Sequence, residues 1–107
     1  MSSAAVVVYT TAPSEAEAVS LAETLVADAL VACVNILPRG RSVYFYEGRV
    51  QNQPEWFLLA KTTADRQGAV IEAIEKAHPY DTPCVTVWPI ATGSQSFLDW
   101  IDATVSR

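Results

Sequence analysis

One histidine, two cysteines and four tyrosines carry much of the chemistry available to these 107 residues. His78 is the only imidazole, a residue type that binds metals or carries protons near neutral pH. It also directly precedes Pro79 at the end of a helical pattern, where an imidazole interacts with the last helical carbonyls. Both readings stay open. Cys33 offers a soft thiolate donor to a metal ion. Its neighbours Ala32, Val34 and Ile36 suit a small buried hydrophobe equally well. Cys84 follows a turn at a strand start, and neither thiol has the positive neighbourhood that makes a nucleophile. Without C-x-x-C spacing the two cysteines indicate neither a disulfide framework nor a zinc ribbon. Free thiols in a reducing compartment are expected, and the metal-ligating candidates are His78 and Cys33.

The ligand-binding candidates are Glu47, Lys61, Tyr80, Asp81 and Trp100. Lys61 ends an apolar strand, where an ammonium needs water or a carboxylate such as Glu47 or Asp81. Asp81 lies in H-P-Y-D-T-P, a segment stiffened by Pro79 and Pro83, and is expected to close an Asx-type turn on its own backbone. Tyr44, Tyr46, Tyr80 and Trp100 are apolar bodies with polar tips, suited to a cleft between subunits and to ordinary packing. No G-x-G-x-x-G, P-loop, nucleophile elbow or paired-carboxylate motif is present. The chain is therefore read as a non-enzyme.

The stretch from Leu30 to Thr63 must position these residues. It reads as one long β-hairpin turning at Glu47-Gly48, where glycine supplies the positive φ of a two-residue loop. Pro38-Arg39-Gly40 is expected to interrupt the first strand and Pro54 the second. Side-chain parity across those breaks is left open. Trp56 to Ala60 is apolar without alternation, the mark of a central strand.

Ahead of the hairpin, Ala5 to Tyr9 reads as a strand buried on both faces. Thr10 to Pro13 breaks it, and Ser14 with Glu17 forms a capping box opening a helix. Ala18, Val19, Ala22, Leu25, Val26, Ala29 and Leu30 form the inward face of that helix. After the hairpin, Ala64 to Ala77 gives a second helix, with a Glu72–Lys76 pair and an end at His78 forced by Pro79. Cys84 to Ile90 is an edge strand. A third helix follows Gly93-Ser94, with Phe97, Leu98, Ile101 and Val105 as its stripe.

The order βαββαβ plus a helix defines a ferredoxin-like α+β sandwich, with residues 1–107 as one domain. Two helices cover one sheet face, while the apolar strands offer two. A homo-oligomer joined sheet to sheet is therefore expected. Seven basic against 12 acidic residues, a net charge of −5, disfavour nucleic acid and anionic membrane as partners and permit a cation. The N-terminal apolar run is too short for a signal peptide or a membrane span, so a cytoplasmic protein is expected.

The segments A-C-V-N-I-L-P, S-V-Y-F-Y-E-G, L-A-K-T-T, H-P-Y-D-T-P and the tryptophan of F-L-D-W resemble the CutA divalent-cation tolerance family over nearly the whole chain. The resemblance implies a homotrimer with sheets inside, helices outside and hairpins joining neighbours, similar in shape to PII signalling proteins. It implies a link to tolerance of copper and other divalent cations, with Cu(II) or a small ligand held at clefts between subunits. The alternative is a PII-like scaffold that binds protein partners. Copper-binding members have a Cys just after the first strand and a His pair before Pro-Tyr. Here Thr10 and Ala77-His78 stand at those positions, so one of the three ligand types is present.

Overall fold

The hairpin dominates the molecule, whose long axis extends 47 Å. The computed structural model describes residues 4–107. Strand β2 (Cys33–Tyr46) and strand β3 (Arg49–Thr63) meet at a two-residue turn, with φ of 52° at Glu47 and 78° at Gly48. Both residues adopt the left-handed conformation, as a turn matching the strands' twist requires. The expected glycine is there, and a glutamate shares its unusual backbone.

Four strands form an antiparallel sheet in the order β2-β3-β1-β4, with β1 at Ala5–Ala12 and β4 at Val85–Pro89. Helices α1 (Glu15–Ala27), α2 (Gln67–Ala77) and α3 (Gln95–Val105) complete the ferredoxin-like arrangement, with a short 3-10 turn at Ala64–Arg66 before α2. β1 runs three residues beyond its expected end at Tyr9, because β3 continues opposite it as far as Trp56. β4 is an edge strand, as anticipated, and β2 forms the other edge.

Pro38-Arg39 does not end β2. It makes a bulge: Leu37 lies opposite Phe57 and Gly40 opposite Glu55, so three steps on β2 match two on β3. The extra residue reverses the parity of everything beyond it. Ser42, Tyr44 and Tyr46 therefore share a sheet side with Gln53, Glu55, Phe57 and Leu59, whereas Val43 and Phe45 face away. Gly40 is required here because a Cβ would stand 2.3 Å from the Phe57 ring. Pro54, expected to break β3, is instead paired with Arg41 within a continuous strand. β1 has already ended there, and a strand with a neighbour on one side tolerates a missing donor.

The main core lies between the sheet and α1 with α2. Val8, Leu25, Val31, Leu58, Val70 and Ile74 are essentially inaccessible to solvent. Ser14 caps α1 by accepting from the Glu17 amide at 3.2 Å, while its hydroxyl donates to the Glu17 carboxylate at 2.9 Å. The α1 face is rotated from the expected one: Leu21 is buried and Val19 is exposed. Ala29 is beyond the helix end at φ 56°, stepping the chain toward β2. Glu72 and Lys76 pair at 2.8 Å on the outer surface of α2.

α3 packs on the other sheet face. Ile101 and Val105 join Ala32 and Ala5, and Ala5 points away from the side of Val6 and Val8. That covers one end. Val7, Tyr9, Phe57 and Leu59 on the same face are half-buried, and Trp88 is 46% exposed, stacked on Tyr9 at 5.0 Å. The continuous apolar look of β1 thus divides into a covered row and an open one.

Candidate functional site

β1 stops at Ala12 while the hairpin continues past it, leaving a corner at the end of the sheet. The segment from His78 to Pro83 occupies that corner. Pro79 excludes helical geometry before it, so His78 takes extended backbone at ψ 138° and caps α2, its amide donating to Ile74 O at 2.9 Å. The imidazole turns back onto β1. Nε2 lies 2.6 Å from Thr11 O, and Nδ1 accepts from the Tyr80 amide at 3.2 Å. Nδ1 accepts, so the proton is on Nε2 and is donated to the carbonyl. Both nitrogens are occupied, and the ring rests 4.6 Å from that of Tyr80.

That arrangement aims Tyr80 at a residue that sequence reasoning missed. Its hydroxyl donates to Glu55 Oε2 at 3.1 Å, and Glu55 is only 4% exposed. A carboxylate that far from water needs such a donor. The available signal was weak: an acidic residue between Pro54 and the apolar run from Trp56, at the parity of the half-buried Phe57 and Leu59. Burial first, then the Glu55 charge and hydrogen bond, push the Tyr80 hydroxyl up to about 12. Burial, reinforced by the same carboxylate, raises the Cys84 thiol above its ordinary range. Tyr9 is raised by burial, with Cys84 and Glu55 adding to it. The corner therefore keeps its acidic hydroxyls and its thiol protonated at neutral pH.

In front of Tyr80 is a cavity of about 290 Å³ lined by Tyr44, Tyr46, Pro79, Tyr80, Asp81 and Thr82. Tyr44 and Tyr46 reach it because the bulge placed them on the Glu55 side. Of the expected ligand-binding residues, Tyr80 and Asp81 are brought together here. Glu47 is at the exposed hairpin tip. Lys61 is twelve residues from the turn's end of β3, about 40 Å along the strand, and its ammonium donates to Asn35 Oδ1. The anticipated pairing of Lys61 with Glu47 or Asp81 is thus replaced by a neutral partner across the adjacent strand. Trp100 is on α3, 45% exposed and stacked with Phe97 at 5.7 Å.

The two expected metal ligands are also apart. Cys33 is opposite Lys61, which is opposite Val7, whereas His78 meets Thr11. That is about 13 Å along the sheet and two strand spacings, about 10 Å, across it. Thr10 is 1% exposed, on the side facing the helices, and its hydroxyl has no hydrogen-bond partner among the described residues. Among the described residues no three of His, Cys, Asp and Glu converge as a metal site. With both His78 nitrogens engaged, the donors within one chain do not fit a preformed metal centre.

The strand order, the paired helices on one face and the overlong bulged hairpin define a ferredoxin-like α+β protein with a tyrosine-lined corner. Within that class the chain belongs to the CutA1 divalent ion tolerance protein family, whose model matches residues 6–104. A divalent-cation tolerance protein CutA of Citrobacter koseri is 40% identical over 101 residues, 94% of this chain and 88% of the relative. The crystal structure of CutA1 from Oryza sativa superposes with a TM-score of 0.93 at 36% identity, covering 96% of this chain and 94% of that one. The structure described as the periplasmic divalent cation tolerance protein CutA from Archaeoglobus fulgidus gives 0.92 at 38% identity, covering 94% and 98%.

Proposed function

We propose that this chain acts as a non-catalytic homotrimer in the response to divalent metal ions, taking a metal ion or a small ligand at clefts between subunits beside the His78–Pro83 turn. The observation that carries the reading is the family match over residues 6–104. The half-open apolar sheet face supports the oligomer, since Trp88 at 46% exposure and the Tyr9 it stacks on would gain burial from a second copy. Light scattering on the purified protein is expected to give three times the subunit mass; a stable monomer at micromolar concentration defeats the assembly.

A metal at His78 requires release of the Tyr80 amide from Nδ1 and donors from a neighbouring subunit, because among the described residues no three His, Cys, Asp or Glu side chains of one chain converge. Copper, as a borderline to soft ion, is the expected divalent cation, with His78 and Cys33 as its candidate donors. Calorimetric titration with Cu(II) and Zn(II), on wild type and on His78→Ala and Cys33→Ser, tests this. Binding unchanged by both substitutions, or absent throughout, removes the metal version and leaves the small-ligand version. In the latter Lys61, at the far end of β3, and Trp100, on α3, take part where subunits meet, whereas Glu47 directly follows the cavity-lining Tyr46.

In this reading residues 1–107 are one domain that catalyses no reaction. We take the compartment to be the cytoplasm, in keeping with the free thiols of Cys33 and Cys84. Among the described residues no helix is long and apolar enough to cross a membrane. Cell fractionation decides between the cytoplasm and the periplasm that the Archaeoglobus relative's description names. The second reading is a PII-like scaffold for protein partners, favoured by the projecting hairpin with Val43, Phe45 and Val50 each more than 60% exposed. If it holds, those side chains are expected to stay exposed to water in the assembled protein, as measured by hydroxyl-radical footprinting along the hairpin.

A further inference from the structure

The corner cavity has three aromatic walls and one charge. Tyr44 and Tyr46 come from β2, Tyr80 from the turn, and Pro79 and Thr82 complete the lining with Asp81. None of these residues is basic. Tyrosine ring faces carry negative quadrupole density and attract cations. Tyr80 is further enriched because its hydroxyl donates to the buried Glu55 carboxylate, which pushes electron density into the ring and holds it in place. Glu55 and Glu17 both act on Tyr80 with negative charge, and the whole chain carries −5. The lining itself offers an anion no basic donor, although Arg49 stands across from Tyr46 on the neighbouring strand.

A bare divalent ion is also poorly served, because ring faces do not ligate it and Asp81 alone supplies a carboxylate at the lining. The cavity volume of about 290 Å³ is at the small end of ligand pockets. We infer that the cavity binds a small organic cation, an alkylammonium group whose apolar substituents rest against Tyr44, Tyr46 and Tyr80 while its charge faces Asp81. This rests on the small-ligand reading of the same cleft and names the chemical class of that ligand.

Nuclear magnetic resonance titration of the full chain, in the assembly it forms in solution, tests this with choline as the probe and 3,3-dimethyl-1-butanol as its uncharged isostere. Choline is expected to shift the ring signals of Tyr44, Tyr46 and Tyr80, with the isostere binding at least about fivefold more weakly. Tyr44→Leu and Tyr46→Leu should each weaken choline about two- to fivefold, while Tyr44→Phe, which keeps the ring, should not. Asp81→Asn should weaken it and flatten its salt dependence. Equal binding by the isostere, shifts that map elsewhere, or no shift because a neighbouring subunit's side chain fills the cavity would each overturn the inference. The metal reading fails separately: choline binding that survives His78→Ala, in a protein that takes up no Cu(II), supports the organic-cation site alone. Copper uptake lost in His78→Ala, with choline ignored, overturns the organic-cation site and keeps the metal reading.

Discussion

Replacing Tyr80 with phenylalanine removes a single hydroxyl and strands a carboxylate oxygen on Glu55, which is 4% exposed. The ring remains, so the change isolates the hydrogen bond. A hydrogen bond to a charged group contributes about 1.5–3 kcal/mol, and an abandoned buried acceptor costs its own desolvation. The expected loss near neutral pH is about 2 kcal/mol. At this chain length that lowers Tm by about 8 °C, provided wild type and variant are compared at one protein concentration. The pH dependence supplies a second signature. The hydroxyl titrates near its ordinary 10.0 in the unfolded chain and at about 12 in the folded one. Below the lower value both states hold the proton and the contribution is complete. As pH climbs from the lower value to the higher, the unfolded chain gives up its proton first, so stability falls and the contribution is gone above the folded value. Solvent reaches part of this ring, which discounts the alkaline loss to about 1 kcal/mol. Urea unfolding followed by far-ultraviolet circular dichroism, at neutral and alkaline pH, should show the gap between wild type and Tyr80→Phe narrowing as pH rises. Combining it with Glu55→Gln should reveal a coupling of about 1 kcal/mol. Equal stability of Tyr80→Phe and wild type at neutral pH, or strict additivity with Glu55→Gln, would refute the reasoning.

Other substitutions probe the elements that build the corner. Ser14→Ala removes the acceptor for the Glu17 amide and should cost about 1 kcal/mol in chemical denaturation. Gly48→Ala forces a side chain onto φ 78° and should destabilise by about 1 kcal/mol, whereas Glu47→Asn, better suited to φ 52°, should stabilise by a few tenths (about 0.3 kcal/mol). Gly40→Ala drives a methyl into the Phe57 ring and should cost about 1–3 kcal/mol; an unchanged midpoint would mean that the ring swings clear. Ile74→Ala, at a fully buried position in the main core, should cost about 2–5 kcal/mol, read from the same unfolding curves.

Local chemistry made much of the fold legible in the chain itself. Ser14 and Glu17 mark a helix start because a hydroxyl and an amide three residues apart satisfy each other without help from elsewhere. His78-Pro79 marks a helix end because proline restricts the residue before it. Glu47-Gly48 marks a turn because so few residues tolerate positive φ. The apolar runs from Ala5 and from Trp56 mark central strands, and the order of these elements leaves little choice of topology. What depended on residues distant in sequence was not legible. Nothing local tells whether Pro38-Arg39 ends a strand or bulges within it, yet that one extra residue decides whether tyrosines or Val43 and Phe45 stand beside Glu55. Glu55 itself looks like any acidic residue near a proline until the corner beside Tyr80 is found to bury it. Types and spacings along the chain set its elements; the closing of the sheet, by fixing parity and bringing the His78–Pro83 turn against β3, selected which of its polar groups meet.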